Sequence, residues 1–112
     1  MVIIKGQNMS TKVKQIIGYK IQEGREHDFS SIKAQMISES YSLSGLHSSV
    51  TSKSLDEDNV YIDTMIWESK EIALSSFEHF VKLPTASTFL ELMTGSPLFQ
   101  YMMEYVEDNI QE

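Results

Sequence analysis

VYIDTMIWESKEIAL, residues 60–74, is the stretch of sequence that decides the fold. Its first part alternates between two faces and predicts a β-strand, with Tyr61, Asp63, Met65 and the single Trp67 on one of those faces. Ser69 lies two residues after Trp67, and with Glu71 and Ile72 in the turn that follows it has the pattern of a helix N-cap with an acidic first turn. A strand therefore leads directly into a helix near the middle of the chain.

Three elements are predicted before residue 60. Residues 13–21 alternate as a strand, and residues 46–55 form a more polar strand that suits a sheet edge. Residues 25–41 predict a helix, because apolar side chains recur there at helical spacing: Phe29, Ile32, Met36, Ile37 and Tyr41. The polar run at residues 56–59 is a turn, so the strands on either side of it should pair as a hairpin.

Two further elements follow the central strand. A second helical region begins near Ser69, is interrupted at Pro84 and resumes over residues 85–93, and residues 98–106 predict the last strand. The order strand, helix, strand, strand, helix, strand is that of a ferredoxin-like α+β fold, βαββαβ, with a four-stranded antiparallel sheet. Right-handed crossovers put both helical regions on one face of that sheet.

The other sheet face is predicted to be apolar as well, since the first, third and fourth strands carry large apolar side chains on both sides. A monomer would expose that surface to water, and a second copy of the chain is an economical cover for it. We therefore predict a homodimer.

Composition sets the broad class of the protein. The 112 residues, 41% apolar and 22% charged, fit one domain, which we place at residues 13–112 after a flexible leader at residues 1–12. No apolar run is long enough to span a membrane, and we predict a cytoplasmic protein without a membrane partner. The absence of cysteine removes disulfides, thiolate zinc sites and a Cys nucleophile.

The charge balance bears on possible partners. The net charge is −7, and Arg25 is the single arginine, so the sequence offers no basic stripe for neutralising phosphates. We predict no nucleic-acid partner, and the acidity is typical of a soluble surface.

Four short segments carry a resemblance to a known family: QEGREHDF at residues 22–29, the glycine-leucine pair at 45–46, SLDED at 54–58 and IWESKEIA at 66–73. With them, the chain from about residue 13 to residue 108 resembles the antibiotic biosynthesis monooxygenase domain family of the dimeric α+β barrel superfamily. LMTG, residues 92–95, is also similar to the end of the second helical region in the bacterial enzyme that processes phosphorylated autoinducer-2.

The family resemblance implies a cofactor-free oxygenase or isomerase pocket between helices and sheet, with two sheets packed into a barrel at the dimer interface. In quinone-forming members, an Asn and a Trp four residues apart on one strand, with a downstream Arg, promote substrate deprotonation and oxygen activation. Asp63 and Trp67 resemble that pair, but Asp replaces Asn and no Arg follows. An ionised carboxylate accepts hydrogen bonds and cannot donate one to an oxyanion, unlike the amide.

Heme-degrading relatives bind iron with an Asn on the first strand and a His on the second helix. The first strand here has no Asn, and His79 lies upstream of the position of that ligand, so the resemblance does not extend to heme degradation. Glu78 and His79 are adjacent and face different directions on a helix, so we predict neither a metal nor another cofactor.

The predicted catalytic residues are Asp63, Trp67 and His79. Asp63 or His79 would remove a proton from a phenol or enol, while Trp67 stacks on the ligand. Each also has a purely structural interpretation, as a hydrogen-bonded carboxylate, a core aromatic ring and a histidine at the solvent edge of a helix. The predicted substrate-binding residues are Tyr61, Met65 and Phe80. Methionines in regular elements, Met36 and Met65 among them, suit either an adaptable apolar pocket or an ordinary core.

Three functions remain open on the sequence alone. The first is a cofactor-free monooxygenase that acts on a quinol or polyketide-like aromatic substrate. The second is a noncatalytic barrel that binds a small apolar or aromatic molecule or is associated with stress, an interpretation favoured by the missing Arg. The third is an isomerase of a small sugar-derived ketone.

Overall fold

The computed structural model describes residues 11–40 and 45–106, without the side chain of Ser40. The elements in this part of the chain are β1 (Val13–Lys20), α1 (Glu26–Ser40), β2 (Leu46–Lys53), β3 (Val60–Trp67), α2 (Lys70–Phe80), α3 (Pro84–Leu92) and β4 (Phe99–Glu104). The predicted ferredoxin-like α+β fold is confirmed. Most of the predicted leader, at residues 1–10, and the predicted end of the first helix at residue 41 lie outside the described residues.

The four strands form one antiparallel sheet in the order β2-β3-β1-β4. The predicted edge position of β2 and its hairpin with β3 are both confirmed. The hairpin turn is closed by the Ser54 N–H, which donates to the Val60 carbonyl at 2.8 Å. Asn59 takes a positive φ of 62° in this turn, a conformation that Asn tolerates better than most residues.

A β-bulge near the start of β2 changes which face its side chains occupy. Strict alternation predicts Leu46 and Val50 on the same face, and that prediction is wrong because the register with β3 shifts between Leu46 and Ser48. Leu46 packs against the buried Trp67, while Val50 is 55% exposed. The extra residue of the bulge therefore supplies one more apolar side chain to the helical side of the sheet.

The two helices after β3 begin where the sequence predicts. Ser69 is the N-cap of α2, and its hydroxyl accepts a hydrogen bond from the Ile72 N–H at 3.2 Å. Pro84 is the first residue of α3, a position where its missing N–H leaves no intrahelical bond unmade. The predicted interruption at Pro84 thus separates two helices.

All three helices pack on one face of the sheet, where the buried apolar residues form two clusters. The larger cluster contains Tyr19, Ile21, Phe29, Met36, Tyr61, Phe89, Leu92 and Met93. The smaller cluster contains Val13, Trp67 and Ala73. No helix in residues 11–40 and 45–106 is long and apolar enough to cross a membrane.

The opposite face of the sheet, called here the open face, has no helix over it in the described chain. Tyr101, Val50 and Met103 are exposed on it, and the Phe99 ring lies over Gly18 of the neighbouring strand. A Cβ atom at Gly18 would come within 2.4 Å of that ring. The open face is therefore an apolar surface, as the sequence predicts.

Gly45 provides a stability test with a matched control at Gly24. Both have positive φ, 90° and 84°, but a Cβ at Gly45 would meet the Ile72 side chain at 2.7 Å, whereas a Cβ at Gly24 has no atom within 4 Å. We expect Gly24→Ala to cost about 1 kcal/mol and Gly45→Ala about 2–3 kcal/mol in the free energy of unfolding. Urea denaturation measures both, and equal losses would show that the contact with Ile72 relaxes without cost.

Candidate active site

A cavity of about 300 Å³ lies between the helical face of the sheet and the three helices. Most of its wall is apolar and consists of Ile17, Met36, Ile37, Met65, Trp67, Phe77, Phe80, Phe89, Leu90 and Met93. Three of these are methionines, whose flexible thioethers adapt to ligands of different shape. Cavities of this size and lining bind small apolar or aromatic molecules.

Asp63 is the centre of a polar cluster in the sheet wall of this cavity. Its side chain points toward the helices from the middle of β3, and the residue is 7% exposed. Oδ1 accepts hydrogen bonds from the Tyr19 hydroxyl at 2.9 Å and the Thr51 hydroxyl at 2.8 Å, and Oδ2 pairs with the Lys33 ammonium. One carboxylate thus joins β3 to the strands on both sides of it and to α1.

Tyr19 is held as a neutral hydrogen-bond donor. Burial raises the pKa of its hydroxyl far above the usual range, and the neighbouring Asp63 carboxylate raises it further. The ring is fixed as well, because it packs edge-on against Phe89 with the ring centroids 5.3 Å apart. The Tyr19 hydroxyl therefore donates to Asp63 and takes no part as a base.

Lys33 brings the cation of the cluster from the middle of α1. Its side chain is 11% exposed, and its Nζ lies 5.3 Å from the Phe89 ring centroid and 5.6 Å from that of Tyr19. An ammonium in such surroundings is stable only when it is paired, and Asp63 and the two ring faces provide the compensation.

Trp67 lies further along β3 in the wall of the same cavity. Its indole N–H donates to the Gln15 side-chain oxygen on β1 at 2.9 Å, which fixes the ring plane. The indole N–H is thus engaged within the protein, and Trp67 presents apolar ring surface to the cavity. Gln15 also lines the cavity, beside Trp67.

The structure places four of the six predicted site residues at the cavity: Asp63, Met65, Trp67 and Phe80. The other two are elsewhere. Tyr61 packs in the larger core cluster, with its ring centroid 4.4 Å from that of Phe29 and its ring stacked on Tyr19. His79 is exposed on α2 and does not line the cavity. Neither residue lines the cavity: Tyr61 is on the same face of β3 as Asp63 but packs against Phe29, and His79 faces solvent.

Sequence reasoning missed Lys33, Tyr19, Thr51 and Gln15 as site residues. Lys33 had a readable signal, since it lies four residues after Phe29 and three before Met36, which makes it a cation on the apolar face of a predicted helix. Thr51 had none, because its contact with Asp63 depends on the register between β2 and β3.

The polar groups of this site suit proton transfer to or from an oxygen of a bound molecule, with a carboxylate as acceptor and an ammonium beside it. In residues 11–40 and 45–106, no three His, Asp or Glu side chains are close enough together to hold a metal ion.

Solved structures share this fold, although no protein-family model and no curated protein sequence matches the chain. SnoaB, a cofactor-independent oxygenase from Streptomyces nogalater, superposes with a TM-score of 0.77 at 16% identity over 92% of this chain and 100% of its own. A protein from Bordetella bronchiseptica described as an antibiotic biosynthesis monooxygenase gives 0.69 at 20% identity over 87% and 99%. A protein of the same description from Caulobacter crescentus gives 0.71 at 14% over 94% and 99%.

These superpositions cover nearly the whole chain. The chain has the fold of the antibiotic biosynthesis monooxygenases, as its sequence resemblance predicts. The cavity described above lies between the sheet and the helices of that fold.

The ion pair at this site yields a stability prediction. Lys33→Met should cost about 3–5 kcal/mol in the free energy of unfolding, because it leaves the buried Asp63 carboxylate without its cation. Adding Asp63→Asn to that variant should recover part of the loss, since it removes the unpaired charge. Lys70→Met, at an exposed lysine, should change stability by less than about 0.5 kcal/mol. Urea denaturation of the four proteins tests this, and a loss below 1 kcal/mol for Lys33→Met would contradict it.

Proposed function

We propose that this chain is a cofactor-free monooxygenase that acts on a quinol or polyketide-like aromatic molecule. The observation that carries the proposal is the apolar cavity, with a carboxylate and an aromatic ring on one strand of its wall. The fold supports it, because SnoaB, which has the same fold, is a cofactor-independent oxygenase.

The spacing along β3 suits a flat, elongated ligand. Asp63 and Trp67 are four residues apart on the same side of the strand, about 13 Å at about 3.3 Å per residue. Apolar side chains, Met65 among them, line the wall between the two. A fused-ring molecule lying along the strand would place a polar group at Asp63 and ring surface against Trp67.

The proposed reaction begins with loss of a proton from a phenol or enol of the ligand to Asp63, the carboxylate that lines the cavity. The resulting carbanion-like ring gives electrons to O₂ and forms a carbon–oxygen bond. One oxygen atom stays on the ring as a carbonyl, replacing two hydrogens, and the other leaves as water. The anion and O₂ react in an apolar cavity, which limits access of bulk water to the intermediate. His79 has no part in this scheme, because it does not line the cavity.

A noncatalytic ligand-binding barrel is the second candidate, and one observation favours it. Three donors from different elements already converge on Asp63, a pattern that equally suits a carboxylate with a structural role. In that case the cavity would bind the same class of aromatic molecule without turning it over.

A homodimer is part of the proposal, and its support is the apolar open face of the sheet. Val50, Tyr101 and Met103 are exposed there and have no cover in the described chain. Two open faces packed together would bury them and close two sheets into a barrel. The cytoplasmic location stays a prediction from the sequence.

Oxygen consumption with a panel of anthrones and dihydroxynaphthalenes, without added flavin or metal, tests the enzymatic proposal. Asp63→Asn should lower the rate by about 10²-fold or more, since an amide cannot take the proton from the ligand. Trp67→Ala should lower activity as well, with a loss of about 3–5 kcal/mol of stability because the ring is buried.

The controls separate chemistry from folding. His79→Gln, at an exposed residue away from the cavity, should leave the rate unchanged. Turnover in Asp63→Asn equal to that of the parent protein would remove Asp63 from the mechanism. Tight binding of the whole panel with no oxygen consumed would replace the oxygenase by the noncatalytic barrel.

The assembly has its own test. Tyr101 is 60% exposed on the open face. Tyr101→Asp should destabilise the dimer, because it would bury an unpaired charge at the interface. Leu74→Asp is the matched control, because Leu74 is 49% exposed on α2, a helix on the opposite face of the sheet. Light scattering at micromolar concentration should give a dimer for the parent and for Leu74→Asp and a monomer for Tyr101→Asp. A monomeric parent protein contradicts the proposed assembly.

A further inference from the structure

Lys33 is a charged residue of the cavity wall to which neither the sequence pattern nor the family resemblance assigns a role. It is a lysine from α1 that reaches between two aromatic rings to the sheet. An ammonium carries three N–H donors. Within the described residues its one hydrogen-bond acceptor is Asp63, so two donors have no protein acceptor there.

The Asp63 carboxylate has an unused hydrogen-bond acceptor position next to the Lys33 ammonium. An ionised carboxylate offers about four lone-pair positions, two on each oxygen. Tyr19 and Thr51 occupy both positions on Oδ1, whereas Lys33 occupies one on Oδ2. The remaining acceptor position is therefore on the oxygen that faces the ammonium.

A hydroxyl group matches this combination, since its hydrogen can be donated to a carboxylate oxygen while its oxygen accepts from an ammonium. A carbonyl would use the ammonium alone, and a carboxylate ligand would bring a second negative charge toward Asp63. A planar ring bearing the hydroxyl would also suit the aromatic and methionine wall around it.

We propose that Lys33 and Asp63 together bind the phenolic or enolic hydroxyl of an aromatic ligand, Asp63 Oδ2 accepting its hydrogen and Lys33 Nζ donating to its oxygen. This rests on the proposed function and names the chemical group that the site recognises. When the ligand ionises, the proton passes from its oxygen to Oδ2, and the electron pair stays on the oxygen beside Nζ. The charge of the site is conserved, because Asp63 becomes neutral as the ligand becomes an anion.

Lys33 thereby supplies a positive charge for an anionic ligand oxygen, although no arginine follows Trp67 in the sequence. Tyr19 and Thr51 are positioning residues, which hold Oδ1 and leave Oδ2 to Lys33 and the ligand. Lys33 extends from α1, whereas Asp63 lies on β3. The ammonium and the carboxylate therefore come to the ligand hydroxyl from a helix and from the sheet.

The test compares 4-nitrophenol with its methyl ether, 4-nitroanisole, as probes of matched shape. Wild-type protein should bind the phenol at least about tenfold more tightly, because the ether has no hydrogen to donate. The comparison protein is the double variant Lys33→Met/Asp63→Asn. That variant has neither charge and should bind both probes with similar affinity.

Two further variants make the result specific. Lys33→Arg keeps a cation and should retain most of the preference for the phenol. Lys70→Met should behave as wild type, and circular dichroism of the double variant establishes that it is folded. Equal binding of the two probes to wild type, no binding of the phenol, or the same preference in wild type and the folded double variant would each overturn the assignment.

This outcome is separate from that of the oxygenase proposal. Hydroxyl preference that depends on Lys33, without oxygen consumption by any substrate, would leave the binding assignment intact and overturn the oxygenase. Oxygen consumption by a folded double variant at the wild-type rate would overturn the assignment and leave the oxygenase in place.

Discussion

The buried carboxylate of Asp63 is the constraint around which the cavity is built. Its three donors come from β1, β2 and α1. Those three elements must therefore be placed relative to β3 so that all three donors reach the same carboxylate. A charge in an apolar interior is tolerated only with such compensation. The sheet register and the orientation of α1 are therefore coupled at the same point at which the cavity has its polar groups.

The aromatic core makes that arrangement rigid. Tyr19 belongs both to the polar cluster, through its hydroxyl, and to the core, through ring contacts with Phe29 and Phe89. Aromatic pairs of this kind add about 0.5–1.5 kcal/mol each beyond the apolar area that they bury. Fixed donors and a fixed ring wall cost little reorganisation when a ligand binds, which favours preorganised recognition over closure around the ligand.

The sequence predicts the elements of this fold more completely than its site. Alternation in β3, the Ser69 cap and the break at Pro84 are local signals, and local signals are readable without a partner strand. Asp63 and Trp67 follow from the same alternation. Lys33 and Thr51 reach the site only through packing of α1 and the pairing of β2, and the bulge after Leu46 reverses a face that strict alternation assigns. The features that the sequence does not predict are thus those that depend on contacts between residues distant in sequence.

The separation of α2 from α3 at Pro84 has a consequence for how such a cavity changes over evolution. Phe80 ends one helix and Phe89 lies in the next, so the two rings enter the cavity wall from elements joined by a short turn. We expect replacements in that turn to change the angle between the two helices and the width of the cavity, because the turn takes part in no strand pairing. One sheet with a fixed polar cluster can in this way accommodate a succession of differently shaped ligands.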